Sequence, residues 1–240
     1  MGGEGFTTEL DKMVRQLKEE ASANQLKSLV MMMDLEADAG DLAWADEAKR
    51  VRAVEAHYPW IEASKKVGCH SVRVNLFGEK DRTVWKPAAI DAMATMGAYA
   101  AKHDINVIVE NHGWLSSDAA LLMEVIEEVG MDNVGTLPDF GNFCVKRPNG
   151  ARWNGCLEEY DRYKGVAEMM PAATSVSAKS ADFDEDGNET NTDYIKMLQI
   201  VKDAGYKGYI GVEYEGSVLS EEEGILATKD LLLKSAKRLS

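Results

Sequence analysis

The chain has 240 residues, 45% of them apolar and 28% charged, a globular balance with length enough for one large core. Its 27 basic and 41 acidic side chains give a net charge of −14 without a basic cluster, so a nucleic-acid backbone would be repelled. It has no run of about 18 uncharged apolar residues, and its opening MGGEGFTTELDK lacks the basic and apolar regions of a signal peptide.

In chain order, a helix is expected over residues 7 to 24, ahead of any strand. Six apolar runs then read as strands: KSLVMMMD (27 to 34), SVRVNLFG (71 to 78), NVIVENH (106 to 112), VGTLPDF (134 to 140), ATSVSAKS (173 to 180) and YIGVEYEG (209 to 216). Their near-continuous apolarity suits parallel strands covered on both faces, and the longer segments between them have helical period. Ser117 and Asp118 open the helix AALLMEVIEEV, which Gly130 closes, and Ser220 with Glu223 forms a capping box before the last helix. Gly68 and Gly205 likewise follow helical runs. Cys69, Cys144 and Cys156 lack C-x-x-C spacing, so they read as buried or free thiols of a reducing compartment, which favours the cytoplasm.

Three acids, Glu110, Asp139 and Glu213, each end one of these runs. In a strand-and-helix barrel such ends share the rim that carries the chemistry. Three carboxylates gathered there would raise one another's pKa unless a cation sat among them, and a divalent metal is the economical answer. Solvated loop residues after strands are the plain alternative.

The stretches EAHYPWIEASKKVGC, HSVRVN, VENHGWLSS, GTLPDFGNF, SVSAKSADFDEDGNET and GYKGYIGVEYEG, in that order, resemble the sugar phosphate isomerase/epimerase superfamily, the xylose-isomerase-like TIM barrels. The resemblance spans about residues 10 to 238. It implies an α/β fold, a TIM (β/α) barrel of xylose-isomerase-like type, in one domain over residues 1 to 240. Relatives usually begin with a strand, a helix and a strand before the segment matching Phe6 to Asn24. The expected form is therefore a barrel incomplete at its N-terminus, of about six βα units, whose two open edges a homo-oligomer would cover.

In that family a Glu, an Asp, a His and a second Glu hold a divalent metal. Carried over, the metal ligands are Glu110, Asp139 and Glu213, with Ser177 standing where the histidine is expected. Oxygen ligands alone favour Mn2+ or Mg2+ over Zn2+. His112 shares a strand face with Glu110 and is a possible nitrogen ligand or substrate contact; a rim histidine bonded to backbone is the alternative. The resemblance implies that Glu110 and Glu213 are the acid/base pair that moves a proton beside a sugar carbonyl through an enediolate, with Asp139 as anchor.

Lys179 ends its strand beside that metal position, where it would bond a substrate oxygen or replace the metal's charge; an outward, solvated lysine is the alternative. Glu215 faces the same way as Glu213. Arg73, Asn75 and Asn142 are candidates to bond sugar hydroxyls, and Trp114 to stack on a sugar face. The loop CVKRPNGARWNGC adds Arg147, Arg152 and Trp153, a composition suited to closing over a substrate with one anionic group. Asp182, Asp184, Asp186 and Asp193 imitate an EF-hand calcium loop, but a strand precedes them, so an acidic lid of turn residues is the better reading.

The expected function is a sugar or sugar phosphate isomerase or epimerase acting on a small molecule. A lyase or dehydratase of keto-sugars or keto-inositols would use the same proton abstraction. A nuclease for damaged DNA would need a basic track, and a non-catalytic barrel that has lost its metal is favoured only by Ser177.

Overall fold

The strands form where the apolar runs lie, but they are shorter than the runs. A computed structural model describes residues 4–35, 40–152 and 154–239, so Trp153 lies outside the described residues. It divides into two units, Met1–Glu110 with Glu124–Gly135, and Asn111–Met123 with Thr136–Ser240.

The first unit runs α1 (Glu4–Ala23), β1 (Val30–Met32), α2 (Glu47–Val67), β2 (Ser71–Asn75), α3 (Arg82–Ala101) and β3 (Asn106–Glu110), and regains the chain at the end of α4 (Ala119–Val129) and the start of β4 (Val134–Leu137). The helix expected ahead of the first strand is α1. Strands β1, β2 and β3 are parallel, in the order β1-β2-β3-β4. Val72, Val74, Val107, Ile108 and Val109 are fully buried in this sheet. At Gly97 of α3 an added Cβ would lie 2.5 Å from Val134, so only glycine lets the helix approach β4 this closely. Expected over eight residues, β1 keeps three: Met32 is 45% exposed, and the ladder ends one bond later at Met33 N–H to Arg73 O.

The second unit holds the hairpin β5 (Cys144–Lys146) and β6 (Glu158–Glu159), then α5 (Arg162–Met169), β7 (Val176–Ser180), α6 (Tyr194–Asp203), β8 (Ile210–Tyr214) and α7 (Glu221–Arg238). Strand β7 pairs in parallel with β8, and on its other side bridges Thr136 and Asp139 through Ala173 and Ser177. Six strands in parallel pairing thus fall inside the six expected runs. Helix ends also follow the sequence: Asp118 accepts the Leu121 N–H at the head of α4, Ser220 and Glu223 form the capping box of α7, and Gly68, Gly130 and Gly205 have positive φ.

Two readings change. Cys144 and Cys156 form a disulfide, with Cα atoms 5.8 Å apart, where free thiols were expected. The antiparallel β5–β6 pairing joins cysteines 12 residues apart, a closure that no short cysteine spacing announces. The argument from reduced thiols to the cytoplasm therefore falls; only Cys69 remains free and buried. In the aspartate-rich loop the carboxylates bind the chain's own backbone. Asp184 accepts the N–H groups of Asp186 and Asn188, Asp182 those of Ser217 and Val218, and Asp193 caps α6 through Ile195 and Lys196. Among the described residues, no helix is long and apolar enough to cross a membrane.

Candidate active site

In the second unit, Ser177 and Lys179 alternate onto one face of β7, and the parallel register sets Lys179 beside Glu213 of β8. Lys179 turns inward. Its Nζ lies 3.1 Å from Glu213 Oε1 and 2.9 Å from Glu215 Oε2, and donates to Asn142 Oδ1 at 3.4 Å. Gly141 makes room for it: a Cβ there would stand 3.0 Å from Cδ of the lysine. Burial alone would lower the Lys179 pKa, but Asp139, Glu213 and Glu215 together outweigh it and raise the pKa. The lysine is held charged.

Asp139 follows β4 and is fully buried. Its backbone is clamped by the Asn111 side chain, whose Oδ1 accepts the Asp139 N–H at 2.7 Å and whose Nδ2 donates to the Asp139 carbonyl at 3.0 Å. The N–H groups of Gly141 and Asn142 both donate to Asp139 Oδ1 at 2.9 Å. Among the described residues, no donor bonds the buried Oδ2. The Ser177 hydroxyl donates to Glu213 Oε2 at 2.9 Å and, facing Asp139 as well, helps to hold the Asp139 pKa down. Burial, reinforced by Glu213, pushes the Asp139 pKa up to about 6, although Lys179 and the Gly141 N–H pull it down.

An anionic oxygen buried without a donor is where a cation would be expected to sit. Carboxylate oxygens of Asp139 and Glu213 lie within 4.8 Å of each other, and a hard divalent ion suits such a set. The residues present fit a metal, with Asp139 Oδ2 as its open ligand. At Glu213 the ion would share with Lys179 and Ser177.

In the first unit, Glu110 ends β3 at 1% side-chain exposure, and Arg73 Nε stands 3.0 Å from its Oε2. Arg73 also pairs with Asp34 at 2.9 Å and donates to the Met33 carbonyl at 3.0 Å, while Asn75 donates to Asp34 at 2.5 Å. Arg73 and Asn75 are thus engaged by the protein's own acids.

The structure brings Asp139, Asn142, Ser177, Lys179 and Glu213 together in one unit, and Glu110, Arg73 and Asn75 in the other. His112 and Trp114 are half-buried at the turn after β3, where Trp114 has a φ of 57°. Such a backbone is uncommon for a bulky residue. Arg147 donates to the Gly155 carbonyl at 2.9 Å inside the disulfide-closed loop. Sequence reasoning missed Asn111 and Asp34. Asn111 lies inside the VENHG motif directly after Glu110, and that adjacency was the available signal; Asp34 ends the run KSLVMMMD as the three acids end theirs, and that place was its signal.

Solved structures share this fold. A D-tagatose 3-epimerase-like protein superposes with a TM-score of 0.73 at 17% identity, covering 98% of this chain and 85% of its own. An L-ribulose 3-epimerase gives 0.68 at 18%, covering 94% and 82%. A xylose isomerase-like TIM barrel protein from Mycobacterium smegmatis, in complex with magnesium, gives 0.63 at 16%, covering 96% and 80%. No curated protein matches the chain. The sequence model of one family, the xylose isomerase-like TIM barrel, matches residues 3–235, and to that family this chain belongs.

Proposed function

We propose that the chain is a divalent-metal-dependent sugar isomerase or epimerase that moves a proton at the carbon beside a carbonyl. The observation that carries this is the buried Asp139 Oδ2, which makes no hydrogen bond among the described residues and lies near Glu213 and Lys179. Membership of the family supports it, as does the likeness to an L-ribulose 3-epimerase and to a magnesium complex.

In this reading Asp139 and Glu213, both in the second unit, hold the metal. Ser177 takes no bond to the metal: its hydroxyl orients Glu213. A bound Mn2+ or Mg2+ supplies polarisation of the sugar carbonyl. Glu213 takes the proton from carbon, with Ser177 fixing its rotamer, and returns it to the enediolate. Lys179 keeps a positive charge beside Glu213 and donates to a substrate oxygen. His112, Trp114 and Asn142 contact the substrate.

Incubating keto-sugars in D2O with Mn2+ should place deuterium at the carbon beside the carbonyl. Glu213→Gln should slow that exchange by about 10²- to 10⁴-fold. No exchange at any ketose, with either metal, would overturn the assignment.

A second reading is favoured by the two ion pairs of Lys179. The lysine itself supplies the charge, and the same proton transfer needs no metal. Exchange that survives a chelator at full rate would select it.

A further inference from the structure

Beside Lys179 lies a cavity of about 160 Å³ within the second unit, which the catalytic assignment does not use. At about 30 Å³ per water it has the volume of roughly five water molecules, the scale of a short polyol tail. Its lining includes Arg162, Lys179, Glu189, Asn191, Thr192 and Glu215.

Each charge in this lining is already answered. Lys179 pairs with Glu215 at 2.9 Å. Arg162 pairs with Glu159 at 2.6 Å through Nη2 and donates to Thr192 Oγ1 at 2.7 Å through Nη1. Glu189 is 8% exposed and accepts the N–H groups of Ala181 at 3.2 Å, Asn191 at 2.7 Å and Thr192 at 2.5 Å. Two cations therefore face two anions, and the cavity is formally neutral. A phosphate placed here would have to break an ion pair or sit beside two carboxylates. A hydroxyl meets no such conflict, because it both donates and accepts. Two of the five N–H donors of Arg162 are committed to Thr192 and Glu159, and the Asn191 amide and the carboxylate edges add further donors and acceptors.

We propose that this cavity is the subsite for the uncharged polyhydroxy end of the substrate, with Arg162 as a specificity-determining residue, and that the protein acts on free sugars rather than sugar phosphates. The proposal rests on the assignment of the neighbouring Asp139, Glu213 and Lys179 to the reacting end.

The test is calorimetric titration of the full chain with D-fructose, D-tagatose and D-ribulose, each against its terminal phosphate. It uses wild type, Arg162→Ala and the exposed loop variant Asn191→Lys, with deuterium exchange followed in parallel. At least one neutral ketose should bind more tightly than its phosphate. Arg162→Ala should weaken that ketose by roughly tenfold. Asn191→Lys, which adds a cation the cavity does not neutralise, should narrow or invert the preference. Tighter binding of the phosphates by wild type would overturn the subsite, as would no ketose binding at all. So would affinities unchanged by both variants, even where exchange proceeds. If affinities respond as expected and no exchange occurs, the subsite stands and the assigned reaction fails.

Discussion

Glu110 and Asp139 are both buried acids at strand ends, and they are neutralised in opposite ways. Glu110 faces the Arg73 guanidinium, and Arg73 is itself braced by Asp34 and a backbone carbonyl. Asp139 has two backbone N–H groups on one oxygen and, among the described residues, no hydrogen bond to the other. Both acids keep one buried oxygen outside the aligned hydrogen bonds of the described residues, but at Glu110 that oxygen lies 3.0 Å from the Arg73 guanidinium. A carboxylate's readiness for a cation thus depends on which of its oxygens the fold has already used.

The comparison can be broken at its strongest point first. Arg73→Met takes the guanidinium away from the buried Glu110, and should cost about 3–5 kcal/mol in denaturant unfolding. Adding Glu110→Gln should recover much of that loss. A cost under about 1 kcal/mol would show that Glu110 does not depend on Arg73.

A pH series sharpens the other side. The Asp139 pKa is raised from 3.8 to about 6 in the folded protein, so burial favours its protonated form. Its contribution to stability is fully present below pH 3.8 and is lost as the pH rises to about 6, by about 2–3 kcal/mol in metal-free protein. Asp139→Asn should flatten that slope. Added Mn2+ should raise the melting temperature of the wild type more at pH 7 than at pH 5, because the metal competes with the proton. An equal slope in wild type and Asp139→Asn would remove Asp139 as its cause.

Lys179→Met should show the smallest effect on stability, about 1 kcal/mol. The side chains of Glu213 and Glu215 are 30% and 58% exposed, so water answers them when the lysine is gone, and the buried Asp139, no longer held down by the ammonium, takes up a proton more readily. A loss as large as that of Arg73→Met would erase the contrast between the two units.

Most of the fold was legible because parallel strands buried on both faces read as apolar runs, and because helix ends use chemically distinctive caps. The runs overstate the strands, since residues such as Asn111 and His112 leave the ladder to form the turn after β3. Glu213 and Lys179 were legible as strand-end residues. Their pairing was not, because it depends on the β7–β8 register and on an empty space at Gly141. Ser177 looked like a lost ligand, and its hydroxyl instead steadies Glu213. Arg73 looked free for substrate because Asp34, its second partner, sits some forty residues upstream with nothing to link them in sequence. The disulfide escaped for the same reason: hairpin register, not spacing, brings Cys144 to Cys156.

Gly141 gives the site a mutational hinge. The stem of Lys179 passes over a residue with no side chain, so a single methyl group would crowd the lysine without touching any acid. Gly141→Ala should loosen the hold of Lys179 on Glu213 and strengthen Mn2+ binding, measurable by titration calorimetry. Unchanged metal affinity would mean that Lys179 and the ion do not compete. A rise in affinity would mean that the balance between an ammonium group and a metal ion rests on one hydrogen atom of the backbone.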